Sequence, residues 1–286
     1  TDGIAMTQMN IKQGIKAFGD RGTAAVLKEV KQLHDRKVGW PVSESTMTDW
    51  DRSRALKYLM FITEKRCGKI KARGCADGRP QREYILKEES ASPTVAVESV
   101  MLTSAVDAHE KRDVATADIP GAFMQAKMNK RTHVRLDGTM ADLLEQLDPD
   151  TYSPHMRKDK KGRSYIYLEL DKALYGTVQA AMLFWKDLSG TLESWGFTIN
   201  PYDWCVANRM INGKQCTVIW HVDDLKISHE DPNVVTNFLD NLQDKYGNEA
   251  DITITRGKIH DYLGMTLDFT KEGCCEVKMD DYVKKM

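Results

Sequence analysis

The chain has 286 residues, 41% of them apolar and 29% charged, with a formal net charge of −1. That length supports two domains or one large domain with subdomains, and the near-neutral balance excludes a uniformly basic nucleic-acid binder while leaving room for a local basic track. No run approaches the ~20 apolar residues of a membrane span, no signal-peptide pattern opens the chain, and the six cysteines form no CxxC pair with matching histidines, so they read as reduced packing thiols. An intracellular protein without a membrane partner is expected, and a start at Thr1 suggests a piece of a longer product.

The first 20 residues are mixed and polar. Val26, Leu27, Val30 and Leu33 then recur at helical spacing, with Thr23 as the expected cap. Between Arg54 and Tyr84, nine basic side chains face three acidic ones, a local charge of +6. A strand Tyr58–Thr63, a turn at Cys67-Gly68 and the segment Lys71-Ala-Arg-Gly-Cys-Ala-Asp-Gly78 describe a flexible basic hairpin. It suits a phosphate grip or, equally, a solvated charged face. Ser92-Pro93 predicts a helix start, with Val97, Val100, Met101 and Ala105 as its buried stripe.

Asp118 ends a strand-like run, where Pro120 and Gly121 must break the pairing. A strand at 132–136, a helix Thr139–Leu147, a polar loop over 148–163 and a strand Ser164–Leu170 follow. The clearest helix carries Val178, Ala181, Trp185, Leu188, Leu192 and Trp195 inward and stops at Gly196; Gln179 falls off that stripe and can face a site. Asn212-Gly213 predicts a hairpin of 204–211 with 214–222. Asp223-Asp224 sits where the second strand ends. Pro232 opens a helix with Val235, Phe238, Leu239 and Leu242 inward, strands are expected at 252–257, 261–269 and 274–279, and 280–286 begins a helix.

A single Asp-Asp at a turn is most often a solvated turn former. Asp118 and Asp223 each end a strand, however, and neighbouring strands would bring three carboxylates together. Such acids repel unless cations neutralise them, which with a basic phosphate grip describes a two-metal phosphoryl-transfer site. Mg²⁺ is the expected ion, being hard and content with few carboxylates plus substrate phosphates. The interleaved strands and helices predict an α+β sheet with helices on one face.

From about Lys69 onward the sequence resembles the reverse transcriptase domain of copia-type long-terminal-repeat retrotransposons. Lys71–Gln81 is similar to the family's fingers motif, and Asp118-Ile-Pro-Gly-Ala-Phe-Met124 to its Asp-Val-x-x-Ala-Phe-Leu. Ala173-Leu-Tyr-Gly-Thr-Val-Gln179 resembles Ser-Leu-Tyr-Gly-Leu-Lys-Gln. His221-Val-Asp-Asp-Leu resembles Tyr-Val-Asp-Asp-Ile, and His260–Leu267 the primer-grip region. Gly196-Phe197 and Asp203 stand at their usual distance before the acid pair.

The resemblance implies a right-hand polymerase fold of fingers and palm: an N-terminal segment and fingers from 1–90, more of the fingers from 126–175, palm from 91–125 and 176–270, and a truncated thumb beginning at 271–286. It implies an RNA-directed DNA polymerase using two Mg²⁺ ions, with Mn²⁺ able to substitute, on a template–primer and deoxynucleotides. Asp118, Asp223 and Asp224 would be catalytic and, with the Ile119 carbonyl, metal-binding. Lys71, Arg73, Phe123 and Gln179 would bind the nucleotide, Phe123 under the sugar, and Tyr262, Leu263 and Gly264 would grip the primer.

The polyprotein would carry integrase upstream and RNase H downstream, in a cytoplasmic virus-like particle that delivers its product to the nucleus. The chain departs from the family at His221, either a simple aromatic substitute for Tyr or a change that alters primer contacts and brings in a group titrating near neutral pH, at Ala180-Ala181, and at Gly74-Cys75, which implies looser fingers. Low processivity is expected without a full thumb. A catalytically silent nucleic-acid-binding module is the alternative, disfavoured because it has no need to hold repelling acids together. A different metal-dependent nucleotidyl transferase would not require Phe123 and Gln179.

Overall fold

The structure is a computed structural model that describes residues 8–65 and 67–279. The chain divides into two compact units, Thr1–Ser90 with Phe123–Leu183 and Ala91–Ala122 with Phe184–Met286. The helix expected over 280–286 lies outside the described residues.

In the first unit, alternate burial along Leu56–Glu64 sends Leu56, Tyr58, Met60 and Ile62 into the core. That strand pairs antiparallel with Ile70–Ala76 and Met9–Asn10, and parallel at Leu56↔Val134 with His133–Asp137. Ser164–Leu170 and Gly39–Val42 continue the sheet. Val26, Val30 and Leu33 of one helix and Leu143 and Leu144 of Thr139–Leu147 join the same core.

The first of these helices runs Ile11–Asp35, not from Thr23. Asn10 and Gln13 close a reciprocal capping box at its start, and Gly19 kinks it with φ 53°. Thr23 Oγ1 donates to the Gly19 carbonyl instead of capping. At Gly74, a departure read above as a sign of looser fingers, a Cβ would lie 1.7 Å from the Tyr58 hydroxyl, so the glycine admits a packed ring. Glu29 accepts the Gly74 N–H at 2.9 Å and ties this strand to the helix.

In the second unit an antiparallel sheet runs in the order Thr253–Arg256, Asp113–Asp118, Asp224–His229, Lys214–His221, Val206–Ile211, Thr198–Ile199. The Asn212-Gly213 turn joins the expected hairpin, both residues left-handed (φ 52° and 76°). Helix Pro232–Tyr246, capped by Asp231, buries Val235, Phe238, Leu239 and Leu242 as its spacing predicts.

Helix Val97–His109 corrects its sequence reading. Its N-cap is Ala96, whose N–H donates to the Asp203 carboxylate at 3.0 Å, while Ser92 Oγ donates to the Pro93 carbonyl. Its buried positions are Val100, Ser104, Asp107 and Ala108, and Val97 is exposed. The expected strand 261–269 is a hairpin, Ile259–Tyr262 with Met265–Asp268, which pairs on to Glu276–Lys278. Leu263 (φ 51°) and Gly264 (φ 77°) make its turn.

Candidate active site

Antiparallel pairing sets Asp224 directly opposite Asp118, with Leu225 opposite Ala117. Residues paired in this way share one face of the sheet, so both carboxylates leave it on the same side. Asp118 also faces Thr253 across its other edge and so lies between two strands. The Ile119 N–H donates to the Asp223 carbonyl at 3.0 Å, fastening the end of one acid strand to the turn of the other.

That turn is Val222-Asp223, between the paired residues His221 and Asp224. Val222 takes φ 59°. A β-branched residue in the left-handed region is strained, and such strain persists where the surrounding structure fixes it. Here the hairpin and the Ile119 contact fix it, and Asp223 is held in a tight turn next to Asp224.

The electrostatics follow from the crowding. Burial first, then the charges of Asp223 and Asp118, raise the Asp224 carboxyl above its ordinary value, and His221 opposes them. A carboxyl whose folded pKa is raised weakens the metal-free fold when ionised, and that penalty fades as pH falls through the raised value. Asp224→Asn is therefore expected to stabilise the metal-free protein at neutral pH. A gain of about 1 kcal/mol corresponds to about 2–4 °C in Tm for a chain of this size, measured by calorimetry. A lower Tm would mean the carboxylate is not held against repulsion.

The primer-grip candidates flank the acids. Tyr262 is buried, and its hydroxyl donates to the Asp224 carbonyl at 3.4 Å. Burial, then the Asp224 charge, pushes its phenol well up, so it remains a donor. Leu263 is half-buried and Gly264 exposed at the turn tip.

The other candidates belong to the first unit. Lys71 and Arg73 alternate with buried Ala72 along Ile70–Ala76, which puts both on the exposed side of a regular strand. Phe123 is half-buried with its ring centroid 4.6 Å from that of Tyr175. Gln179 is 1% exposed and donates to Asn129 Oδ1 at 3.1 Å, while its own Oε1 has no partner. It is thus buried rather than open to solvent.

A cleft of about 800 Å³ is lined in this unit by Phe61, Asp77, Arg79, Arg82, Lys87 and Val178. Its floor is built from backbone: the Ala76 N–H donates to the Tyr175 carbonyl at 2.7 Å, and a Cβ on Gly176 (φ 86°) would lie 2.0 Å from the Ala76 carbonyl oxygen. Only glycine meets both demands.

The reverse transcriptase (RNA-dependent DNA polymerase) family matches residues 54–286. The chain belongs to this family. The Retrovirus-related Pol polyprotein from transposon RE1 of Arabidopsis thaliana is 26% identical to it over 178 residues, covering 62% of this chain and 11% of that protein. The chain thus spans about a tenth of the length of this curated relative. A structure of telomerase from Candida albicans in complex with a fragment of telomeric RNA aligns over 86% of this chain and 50% of that one, at TM-score 0.40 and 10% identity.

Two features of this member of the family escaped sequence reading. Gln81 is fully buried and accepts the Val178 N–H at 2.9 Å, tying the fingers-like motif to the Tyr-Gly segment. Lys226, two residues after Asp224, is buried against Asp107, which lies 3.7 Å from Arg112. Gln81 closed the stretch that resembles the fingers motif without its own role being marked, and Lys226 carried no signal beyond residue type.

Among the described residues no group of three or more His, Cys, Asp or Glu side chains is set to hold a metal ion. The donors at the hairpin are carboxylate oxygens, one with a raised pKa that a cation would relieve. That chemistry fits a hard ion held by one or two carboxylates plus substrate phosphates. No described helix is long and apolar enough to cross a membrane.

Proposed function

We propose that the chain adds deoxynucleotides to a primer 3′-hydroxyl on an RNA or DNA template as the polymerase domain of a retrotransposon Pol polyprotein. On this reading integrase precedes it and RNase H follows it, in a cytoplasmic virus-like particle whose product goes to the nucleus. The unit with the basic hairpin serves as fingers, and the unit with the acid hairpin as palm. The observation that carries the proposal is the register of Asp118 opposite Asp224, with Asp223 in the strained turn beside them.

Asp118 and Asp223, with the Ile119 carbonyl, would hold two Mg²⁺ ions, Mn²⁺ substituting, and Asp224 would support the second carboxylate. Bound there, the ions would lower the pKa of the primer hydroxyl and neutralise charge on the incoming triphosphate. The chain's own contribution is position and electrostatics. Lys71 and Arg73 offer a point charge and a bidentate fork to the triphosphate. Gln179 packs beside the nucleotide and template base. Tyr262, Leu263 and Gly264 steady the primer end, Tyr262 through its bond to the Asp224 carbonyl.

Phe123 would lie under the sugar, where a 2′-hydroxyl meets the ring; its contact with Tyr175 holds that ring in one orientation. Phe123→Ala is expected to raise ribonucleotide incorporation relative to deoxynucleotide by about 10–100-fold in kcat/KM, the range one shape-complementary apolar contact supplies. Single-nucleotide addition with dNTP and rNTP measures it, and an unchanged sugar preference removes Phe123 from this role. The reading as a whole is tested by primer extension with and without chelator. Extension that needs Mg²⁺ or Mn²⁺ supports it, and metal-independent extension rejects the two-ion assignment.

A further inference from the structure

Helix Ala180–Ser194 carries an interior glycine, Gly190, which costs about 1 kcal/mol against alanine in a helix. Among the described residues an added Cβ would meet no atom within 4 Å, so packing there does not require it. Gly190 opens onto a groove of about 440 Å³ lined by Trp185, Lys186, Glu193, Pro201 and Trp204. Its walls are stiff: the Trp185 indole N–H donates to the Trp204 carbonyl at 3.1 Å, and the two rings lie 6.1 Å apart. Beside the groove Trp204 is 56% and Tyr202 97% exposed, an apolar concentration of the kind that marks an interaction surface.

The charges along this face identify the partner. Lys186 and Glu193 are exposed, without an ion-pair partner among the described residues, and equidistant from the midpoint between Ser189 and Gly190. Two copies of the helix crossing antiparallel at that midpoint would set each Lys186 against the other copy's Glu193. That self-complementarity is what an isologous two-fold contact demands. Small residues at the crossing let the backbones approach closely, as the bare Gly190 allows. A neutral or single-signed face would have offered no such pairing.

We infer that this face is a two-fold dimer interface, in which the second copy of the chain covers the Trp185/Trp204 groove, the helices cross at Gly190, and Lys186 pairs with Glu193 reciprocally. The contact requires nothing of the polymerase chemistry, so its failure leaves the proposed function intact.

Sedimentation equilibrium of the purified chain tests it, with circular dichroism confirming that each variant is folded. The parent is expected to dimerise. Lys186→Glu or Glu193→Lys alone opposes like charges at both symmetric pairs and is expected to weaken the dimer about tenfold or more. The double variant Lys186→Glu/Glu193→Lys rebuilds both pairs with signs exchanged and is expected to restore it. Gly190→Gln is expected to favour the helix in the monomer and yet weaken the dimer. A parent that stays monomeric at every concentration, or a double variant no better than the singles, overturns the inference.

Discussion

Asp223→Asn is expected to lower primer extension on the order of 10³-fold or more, the scale on which loss of one preorganised charge-stabilising group is felt, while template–primer affinity changes little. The asparagine is nearly isosteric, so the turn and the Ile119 contact to the residue 223 carbonyl, a backbone bond, persist. What disappears is one of the two negative charges that raise the Asp224 carboxyl. The fold loses a repulsion and the reaction loses a cation ligand. Filter binding of the template–primer beside single-turnover extension separates the two effects. Loss of extension together with loss of folding would show that the carboxylate serves structure, not chemistry.

Asp107→Ala is expected to cost about 3–5 kcal/mol of stability, because it leaves a buried charge without its partner. Asp107 and Lys226 are 1% and 2% exposed, and they form an ion pair in the interior of the unit. Arg112 stands 3.7 Å from the same carboxylate and donates to Thr217 Oγ1 at 3.0 Å, while Glu110 neutralises it at the surface. The network therefore joins helix Val97–His109 to the two strands that meet at the acid hairpin. Asp107→Leu/Lys226→Met should recover most of the loss, since it leaves no ion of that pair stranded. Urea unfolding followed by tryptophan fluorescence gives the comparison. An Asp107→Ala protein within about 1 kcal/mol of the parent would mean that water reaches the site and the charges are not desolvated.

The contrast between these two acids explains what could be read from the chain. The Asn212-Gly213 hairpin was legible because its turn residues are those that tolerate left-handed backbone, and it fixed where Asp223 and Asp224 emerge. Asp118 was legible because Pro120 and Gly121 end its strand two residues later. That neighbouring strands bring the acids together was expected and holds for Asp118 and Asp224, but the exact register was not legible, since it depends on how distant segments pair.

The Leu263-Gly264 turn was missed because leucine rarely adopts positive φ, and one strand was expected where two lie side by side. The helix from Ile11 was hidden by Gly14, Gly19 and Gly22 and by its polar surface, although Asn10 and Gln13 carried the capping-box signal. In Val97–His109 the stripe was misplaced because burial there includes Ser104 and Asp107, which no hydrophobic pattern marks. Gly74 looked like slack and is filled by the Tyr58 ring.

The most direct test of the account is deoxynucleotide addition to a DNA primer annealed on RNA, with Mg²⁺ or Mn²⁺, comparing the chain with Asp223→Asn/Asp224→Asn. Extension by the parent and none by the variant is expected, with both folded and both retaining the template–primer. Extension by the variant at the parent's rate would place the chemistry elsewhere. Absence of extension by a folded, template-bound parent would make the domain a nucleic-acid-binding module and contradict the polymerase assignment.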